Sequence, residues 1–87
     1  DMEIPNDKKD RVIDFFMSLK GQFIDGAKVT SITDIDGAKV VLSNKSWILV
    51  RASGTEPLIR CYIETRDSNY YDILKNFVRS SIKINLE

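Results

Sequence analysis

The residues best suited to chemistry lie in one short segment, Arg51 to Pro57, with a second arginine, Arg60, close behind it. Arginine carries a planar fork of N–H donors that matches the oxygens of a phosphate group. Ser53 and Thr55 add hydroxyl donors, and Gly54 can adopt a positive φ, which lets consecutive backbone N–H groups converge on an anion. These residue types predict a phosphate-binding pocket. An ordinary wide hairpin with solvated arginines has the same composition, so the residues alone leave both interpretations open.

We do not expect this segment to be catalytic by itself. The sequence contains 0 His, so Ser53 lacks the usual base that would activate it, and the Gly-x-Ser-x-Gly pattern of a nucleophilic serine is absent too. Glu56 either orients an arginine or is solvated, and the sequence does not separate these roles. We therefore predict no catalytic residue and no metal ligand in the chain.

The periodicity predicts two helices around a block of strands. Apolar residues recur at helical spacing from about Asp7 to Lys20 and again from Ser68 or Asn69 onward, where Asn69 and Asp72 are expected to form a capping pair. Between the helices the period changes to two, in β-branched runs separated by turn residues. The predicted strands are 29–35, 39–42, 47–50 and 58–64, with a two-residue hairpin turn at Asp36-Gly37 and a second turn at 43–45.

The alternation along the last two strands places both arginines on one face. Val50 lies on the opposite face from Arg51, and Ile59 lies on the opposite face from Arg60. If the two strands pair as a hairpin with their apolar faces aligned, both arginines flank the loop on the side away from the core. The sequence does not fix the register, so this convergence is a hypothesis.

These elements together predict an α+β fold. Short connections between successive strands favour antiparallel pairing, and amphipathic helices need a sheet face to cover. We predict a four-stranded antiparallel sheet with two helices packed on one face, in the order α-β-β-β-β-α. A length of 87 residues is that of one small domain, so residues 1–87 are predicted to form a single unit.

Composition narrows the classes of partner. The 13 Lys and Arg equal the 13 Asp and Glu, which argues against a broad basic face for nucleic acid or for an anionic membrane. No apolar run is long enough to span a bilayer, and a cytoplasmic location is expected. Cys61, the 1 cysteine present, lies among apolar residues and is expected to pack in the core. The Asp1-Met2 opening does not look like a natural start, which suggests a piece of a longer protein.

The decapeptide from Arg51 to Arg60, RASGTEPLIR, closely resembles the phosphate-binding loop of the α-D-phosphohexomutases. This family includes phosphoglucomutase, phosphomannomutase and phosphoglucosamine mutase. The similarity extends to DGAKVVLSNKSWILVR before the loop and CYIE after it, and with the flanking helices it covers essentially the whole chain. The chain looks like the fourth, C-terminal domain of such an enzyme.

The resemblance implies a role within a larger enzyme. Such mutases interconvert hexose 1-phosphates and hexose 6-phosphates through a bisphosphorylated intermediate, and their fourth domain holds the phosphate that is not being transferred. Carried over to this sequence, Arg51, Ser53, Gly54, Thr55 and Arg60 would bind that phosphate. The implied partners are hexose phosphates, hexose bisphosphate and the other domains of the same parent chain.

The catalytic serine loop and the Asp-x-Asp-x-Asp magnesium motif of that family do not occur in these residues. The chain alone is therefore predicted to be inert and to hold no cofactor, while Mg²⁺ is expected for the parent enzyme. The alternative is a stand-alone phosphate- or anion-binding module without a catalytic role.

Overall fold

A computed structural model describes residues 2–34 and 36–87 of the chain. Within them lie two α-helices, α1 (Lys9–Met17) and α2 (Ser68–Asn85), and a single-turn 3-10 helix (Asn6–Lys8) that leads into α1. The same part of the chain forms six strands: β1 (Met2–Glu3), β2 (Phe23–Ile24), β3 (Ala27–Thr33), β4 (Ala38–Leu42), β5 (Trp47–Ala52) and β6 (Leu58–Glu64).

The strands described form one six-stranded sheet in the spatial order β1-β6-β5-β4-β3-β2. Every neighbouring pair is antiparallel. Strands β3 to β6 run as a meander, each beside the next in sequence, while β1 returns from the N-terminus to pair with β6. The first and last strands of the chain are therefore neighbours.

The predicted four-stranded sheet and the order α-β-β-β-β-α are wrong. The order in the structure is β-α-β-β-β-β-β-α, because β1 precedes the first helix and β2 follows it. Met2–Glu3 and Phe23–Ile24 are each two residues long. Two residues contain no period-two alternation, so the pattern that revealed the four longer strands could not reveal these.

The hydrophobic core lies between the sheet and the helices. Alternate residues of the central strands are completely buried, and α1 and α2 contribute apolar side chains that pack onto the same face. The two helices also contact each other through an edge-on pair of rings, Phe16 and Phe77, whose centroids are 6.4 Å apart. The fully buried residues include Val12, Phe16, Val40, Ile48, Val50, Ile59, Leu74 and Ile82.

Both helix boundaries differ from the prediction in informative ways. The first helix was expected from Asp7 to Lys20, but α1 runs only from Lys9 to Met17, and the 3-10 helix Asn6–Lys8 precedes it. The second begins at Ser68 as expected, yet the predicted pair Asn69 and Asp72 does not cap it. Instead the Asp67 carboxylate accepts hydrogen bonds from the next turn, including one of 2.9 Å from the Asn69 N–H. Asp67 lies two positions before Asn69, and its carboxylate satisfies orphan N–H groups of the first turn.

The turn between β3 and β4 also differs from the two-residue hairpin expected at Asp36-Gly37. Strand β3 ends at Thr33 and β4 begins at Ala38. Ile35, which we assigned to the preceding strand, lies outside the described residues. Asp36 and Gly37 have φ values of 59° and 130°, so the positive φ that such a turn needs is present.

None of the helices in the described residues is long and apolar enough to cross a membrane.

Candidate phosphate-binding site

The loop from Ser53 to Pro57 joins β5 to β6, and the two arginines stand directly opposite each other at its base. Arg51 and Arg60 are partners in the antiparallel ladder. Both side chains are exposed, while the adjacent Val50 and Ile59 are completely buried on the other face. The structure thus confirms that both arginines project away from the core.

A surface pocket of about 180 Å³ opens between the arginines and the start of the loop. Its volume is several times the ~30 Å³ that one water occupies, so a small anion can enter. The pocket is lined by Arg51, Ala52, Ser53, Gly54 and Arg60. Four of the five predicted site residues therefore meet here. The fifth, Thr55, is exposed in the same loop but does not line the pocket.

Hydrogen bonds within the loop decide which donors remain for a ligand. The Ser53 N–H donates to the Leu58 carbonyl at 3.1 Å, which closes the base of the loop. The Ser53 hydroxyl oxygen accepts from the Glu56 N–H at 3.2 Å, leaving its own proton to donate elsewhere. Within residues 2–34 and 36–87, the N–H groups of Gly54 and Thr55 have no protein acceptor. The Ser53 hydroxyl and the N–H groups of Gly54 and Thr55 are thus three donors that remain available to an anion.

Gly54 does not use the conformation that we predicted for it. Positive φ values occur at Gly21, Gly26 and Gly37 among the described glycines, and not at Gly54. A Cβ built at Gly54 would meet nothing within 4 Å. The fold therefore does not require glycine here, and what the missing side chain provides is open space beside the pocket.

Glu56 lies near one arginine of the site. Its carboxylate is 4.0 Å from the Arg60 guanidinium, and both side chains are about half exposed. An exposed ion pair of this length contributes at most about 1 kcal/mol. Its effect is therefore on where the Arg60 side chain points more than on stability, which favours the orienting role over a purely solvated one.

Lys9 also contacts the candidate loop, a role that was not predicted from the sequence. It begins α1 with only 8% of its surface exposed, and its ammonium group donates a 2.6 Å hydrogen bond to the Ser53 carbonyl. One signal could have found it: Lys9 lies three and seven residues before Val12 and Phe16, on the same helical face. A lysine on an apolar helical stripe needs a buried polar partner, and here the partner is the candidate loop.

Gly37 fixes the strand that carries Arg51. A Cβ at Gly37 would lie 2.3 Å from the Val50 carbonyl oxygen and 3.0 Å from the Arg51 Cα. Real side chains do not approach a backbone this closely. The β3–β4 turn therefore packs against β5 immediately before the site, and only glycine permits that approach.

Comparison with known families decides the chain's affiliation. The profile described as "Phosphoglucomutase/phosphomannomutase, C-terminal domain" matches residues 6–80, a range that contains both arginines and the entire loop. The chain belongs to this family. The phosphohexomutase resemblance seen in the sequence is thereby confirmed.

Individual relatives of the family carry related names. The chain is 38% identical over 68 residues to a "Probable phosphoglucosamine mutase" of Methanobrevibacter smithii, covering 78% of this chain and 15% of that protein. It is 38% identical over 80 residues to a "Phosphoglucosamine mutase" of Methanococcus aeolicus, covering 92% of this chain and 16% of the relative. A "Phosphopentomutase" of Thermococcus kodakarensis is 34% identical over 56 residues, covering 64% of this chain and 12% of that protein. The chain thus spans about a sixth or less of the length of these curated relatives.

The family assignment leaves open which chemical groups this domain itself supplies. Among residues 2–34 and 36–87, no three His, Cys, Asp or Glu side chains are grouped so that they could hold a metal ion. What the site does offer is cationic and hydrogen-bond donors around an exposed pocket. These residues do not fit a Mg²⁺ ion, whose preferred ligands are oxygens.

Proposed function

We propose that this chain is the phosphate-binding domain of a phosphosugar mutase that interconverts hexose 1-phosphate and hexose 6-phosphate, and that it holds the phosphate that is not transferred. One observation carries the proposal: Arg51 and Arg60 are directly opposite in the ladder. Like charges in this arrangement are destabilising. Two guanidinium groups side by side at the mouth of a pocket suit a doubly negative ligand, which can bind both of them at once.

Each of the five residues has a role in this proposal. The guanidinium groups of Arg51 and Arg60 bind the phosphate oxygens from two sides, since arginine can donate two parallel bonds to one phosphate. The Ser53 hydroxyl and the N–H groups of Gly54 and Thr55 donate from the loop. Thr55 lies outside the pocket in this structure, so we assign it to the complex, in which the loop closes around the ligand.

Binding the phosphate that is not transferred would contribute to catalysis at the other end of the substrate. Binding energy on a non-reacting group can orient the reacting end of the same molecule. Two guanidinium groups and backbone donors bind any phosphate monoester, so the site accepts either end of a bisphosphorylated sugar as it reorients. The transferred phosphoryl group, the Mg²⁺ expected for the parent enzyme and the contacts to the sugar hydroxyls belong in this proposal to other domains of the parent chain.

The proposal leaves the identity of the sugar to those domains. The relatives' names include mutases of a glucosamine phosphate and of a pentose phosphate. These sugars differ in ring substituents but share a phosphate group. A pocket of about 180 Å³ lined by two arginines and the start of the loop has a size and charge that suit that shared group.

A titration monitored by NMR tests the proposal on the 87-residue chain. We expect glucose 1,6-bisphosphate to shift the amide signals of residues 53–55 at millimolar concentration. Binding by the domain alone should be weak, because a few charge-assisted hydrogen bonds of about 1.5–3 kcal/mol each are opposed by an association cost of ~4–15 kcal/mol. Glucose and sodium chloride at matched ionic strength are the controls. The proposal is wrong if residues 53–55 stay unshifted while other surfaces respond.

A further inference from the structure

Lys9 is buried although its side chain carries a charge. Lysine is almost never buried unless it is paired, because removing the ammonium group from water costs several kcal/mol when no partner replaces the water. Its 2.6 Å bond to the Ser53 carbonyl is a charge-assisted hydrogen bond, and it joins residues 44 positions apart in sequence. The first turn of α1 is thereby connected directly to the start of the candidate phosphate loop.

The direction of this bond determines where a neighbouring donor points. The Ser53 carbonyl and the Gly54 N–H belong to the same peptide unit, which is planar and trans, so they point in opposite directions. Because Lys9 holds the carbonyl towards the buried side of the loop, the Gly54 N–H is directed away from Lys9. The ammonium charge also polarises this peptide and makes its N–H a stronger donor.

The far end of the loop is held by the same part of the chain. The Ile4 N–H donates a 2.9 Å hydrogen bond to the Pro57 carbonyl, and Ile4 itself is buried. The segment from Ile4 to Lys9 therefore contacts the loop at both Ser53 and Pro57. Residues 54–56 between these contacts remain exposed, so their geometry depends on two anchors outside the loop.

We propose that Lys9 is a positioning residue of the phosphate site: by fixing the Ser53 carbonyl, it orients the Gly54 N–H to donate to a bound phosphate. This inference rests on the proposed function. Lys9 does not line the pocket, and its ammonium group donates to the Ser53 carbonyl, so its effect on a ligand is indirect. A purely structural lysine would affect stability and leave the affinity of the folded protein for phosphate unchanged.

The test compares two adjacent lysines in the 87-residue chain. Lys9→Met keeps the length and apolar stem of the side chain but removes the donor. Lys8→Met makes the same change of charge at a half-buried neighbour and is the matched control. For both variants and the wild type, the amide signals of residues 53–55 are recorded without ligand and during titration with inorganic phosphate.

We expect Lys9→Met to move the Gly54 amide signal in the ligand-free protein and to raise the dissociation constant for phosphate by about tenfold, the lower end of the range for one charge-assisted hydrogen bond. Lys8→Met should leave the Gly54 signal in place and change the dissociation constant by no more than about twofold, since Lys8 is only half-buried and a charge that water reaches is screened. Lys9→Arg, which retains a charged donor, should restore most of the affinity.

Three results would overturn the inference. Equal phosphate affinity in Lys9→Met and the wild type would leave the proposed function intact but remove the role of Lys9. Equal losses of phosphate affinity in Lys8→Met and Lys9→Met would mean that the effect comes from net charge alone. If the wild type itself shows no response at residues 53–55, the proposed function fails and this inference fails with it. Should Lys9→Met not fold, Lys9→Gln replaces it, since its amide nitrogen is one bond too short to reach Ser53, and the same outcomes apply.

Discussion

Replacing Gly37 by alanine should disrupt the strand that carries Arg51. The added Cβ would lie 2.3 Å from the Val50 carbonyl oxygen, so β5 or the β3–β4 turn must move. The residue also has a φ of 130°, which an L side chain rarely adopts. A strained backbone conformation costs about 1–3 kcal/mol, and forcing a side chain into filled space costs about 1–3 kcal/mol more.

The expected loss for Gly37→Ala is therefore about 2–6 kcal/mol in the free energy of unfolding. A domain of this length has a total of roughly 4–13 kcal/mol, so the substitution removes a large share of the stability. Gly26→Ala is the matched control: Gly26 has a φ of 91°, but a Cβ there would meet nothing within 4 Å. That variant should lose only the backbone contribution, about 1–3 kcal/mol.

Urea unfolding followed by circular dichroism measures both losses, with the slope of the transition confirming that the two variants unfold the same amount of surface. In a folded Gly37→Ala sample, the amide signals of Val50 and Arg51 should shift more than those of distant strands. The reasoning is refuted if Gly37→Ala is no less stable than Gly26→Ala, because the close approach to β5 would then have no energetic consequence.

Two further predictions concern charge. Arg51→Gln should abolish the response of the loop amides to phosphate. The free energy of unfolding should stay unchanged or rise by up to about 1 kcal/mol, because the repulsion with Arg60 disappears. A clear loss of stability in urea would instead make Arg51 a structural residue. Burial raises the pKa of Tyr70 above its ordinary value of 10.0, and the nearby negative charge of Asp25 raises it further. The unfolded chain then ionises first, so this contribution to stability is complete below about pH 10 and is lost as the pH rises through the folded pKa. The urea midpoint of the wild type should fall as the pH rises through this alkaline range, and that of Tyr70→Phe should fall less steeply. The variant also loses the 2.7 Å hydrogen bond from the Tyr70 hydroxyl to the Ile24 carbonyl. An equal dependence of the midpoint on pH in the two proteins would contradict the role of Tyr70.

Much of the sheet could be predicted from the sequence because its strands obey simple alternation. The last strand was predicted at 58–64 and is Leu58–Glu64, and the placement of Arg51 and Arg60 on one face followed from the same parity. Strand β3 follows this alternation less well, since its register with β4 shifts between Val29 and Ser31. An extra residue at such a bulge changes the facing of those after it, and no sequence pattern shows where it occurs.

The candidate site was predictable in its residue types and incomplete in its geometry. Residue chemistry identified the loop, but the conformation of Gly54 was predicted incorrectly because glycine permits a positive φ without requiring one. The apolar stripe of α1 indicates that Lys9 needs a buried partner, but the identity of that partner, the Ser53 carbonyl, depends on how α1 packs across the sheet. Contacts between distant parts of the chain are set by tertiary packing, which local propensities do not encode.

The position of β1 has a consequence for the order in which the protein folds. Strands β3 to β6 are joined by short connections, and such local pairings form early because little chain entropy is lost in closing them. Pairing of Met2 with Ile59 joins residues 57 positions apart in the sequence and is expected to form late and open first. Transient detachment of this N-terminal strand would release the contact of Ile4 with the loop while the meander stays folded. The end of the loop at Pro57 can therefore become mobile through local opening of β1, without global unfolding, while Lys9 still holds Ser53.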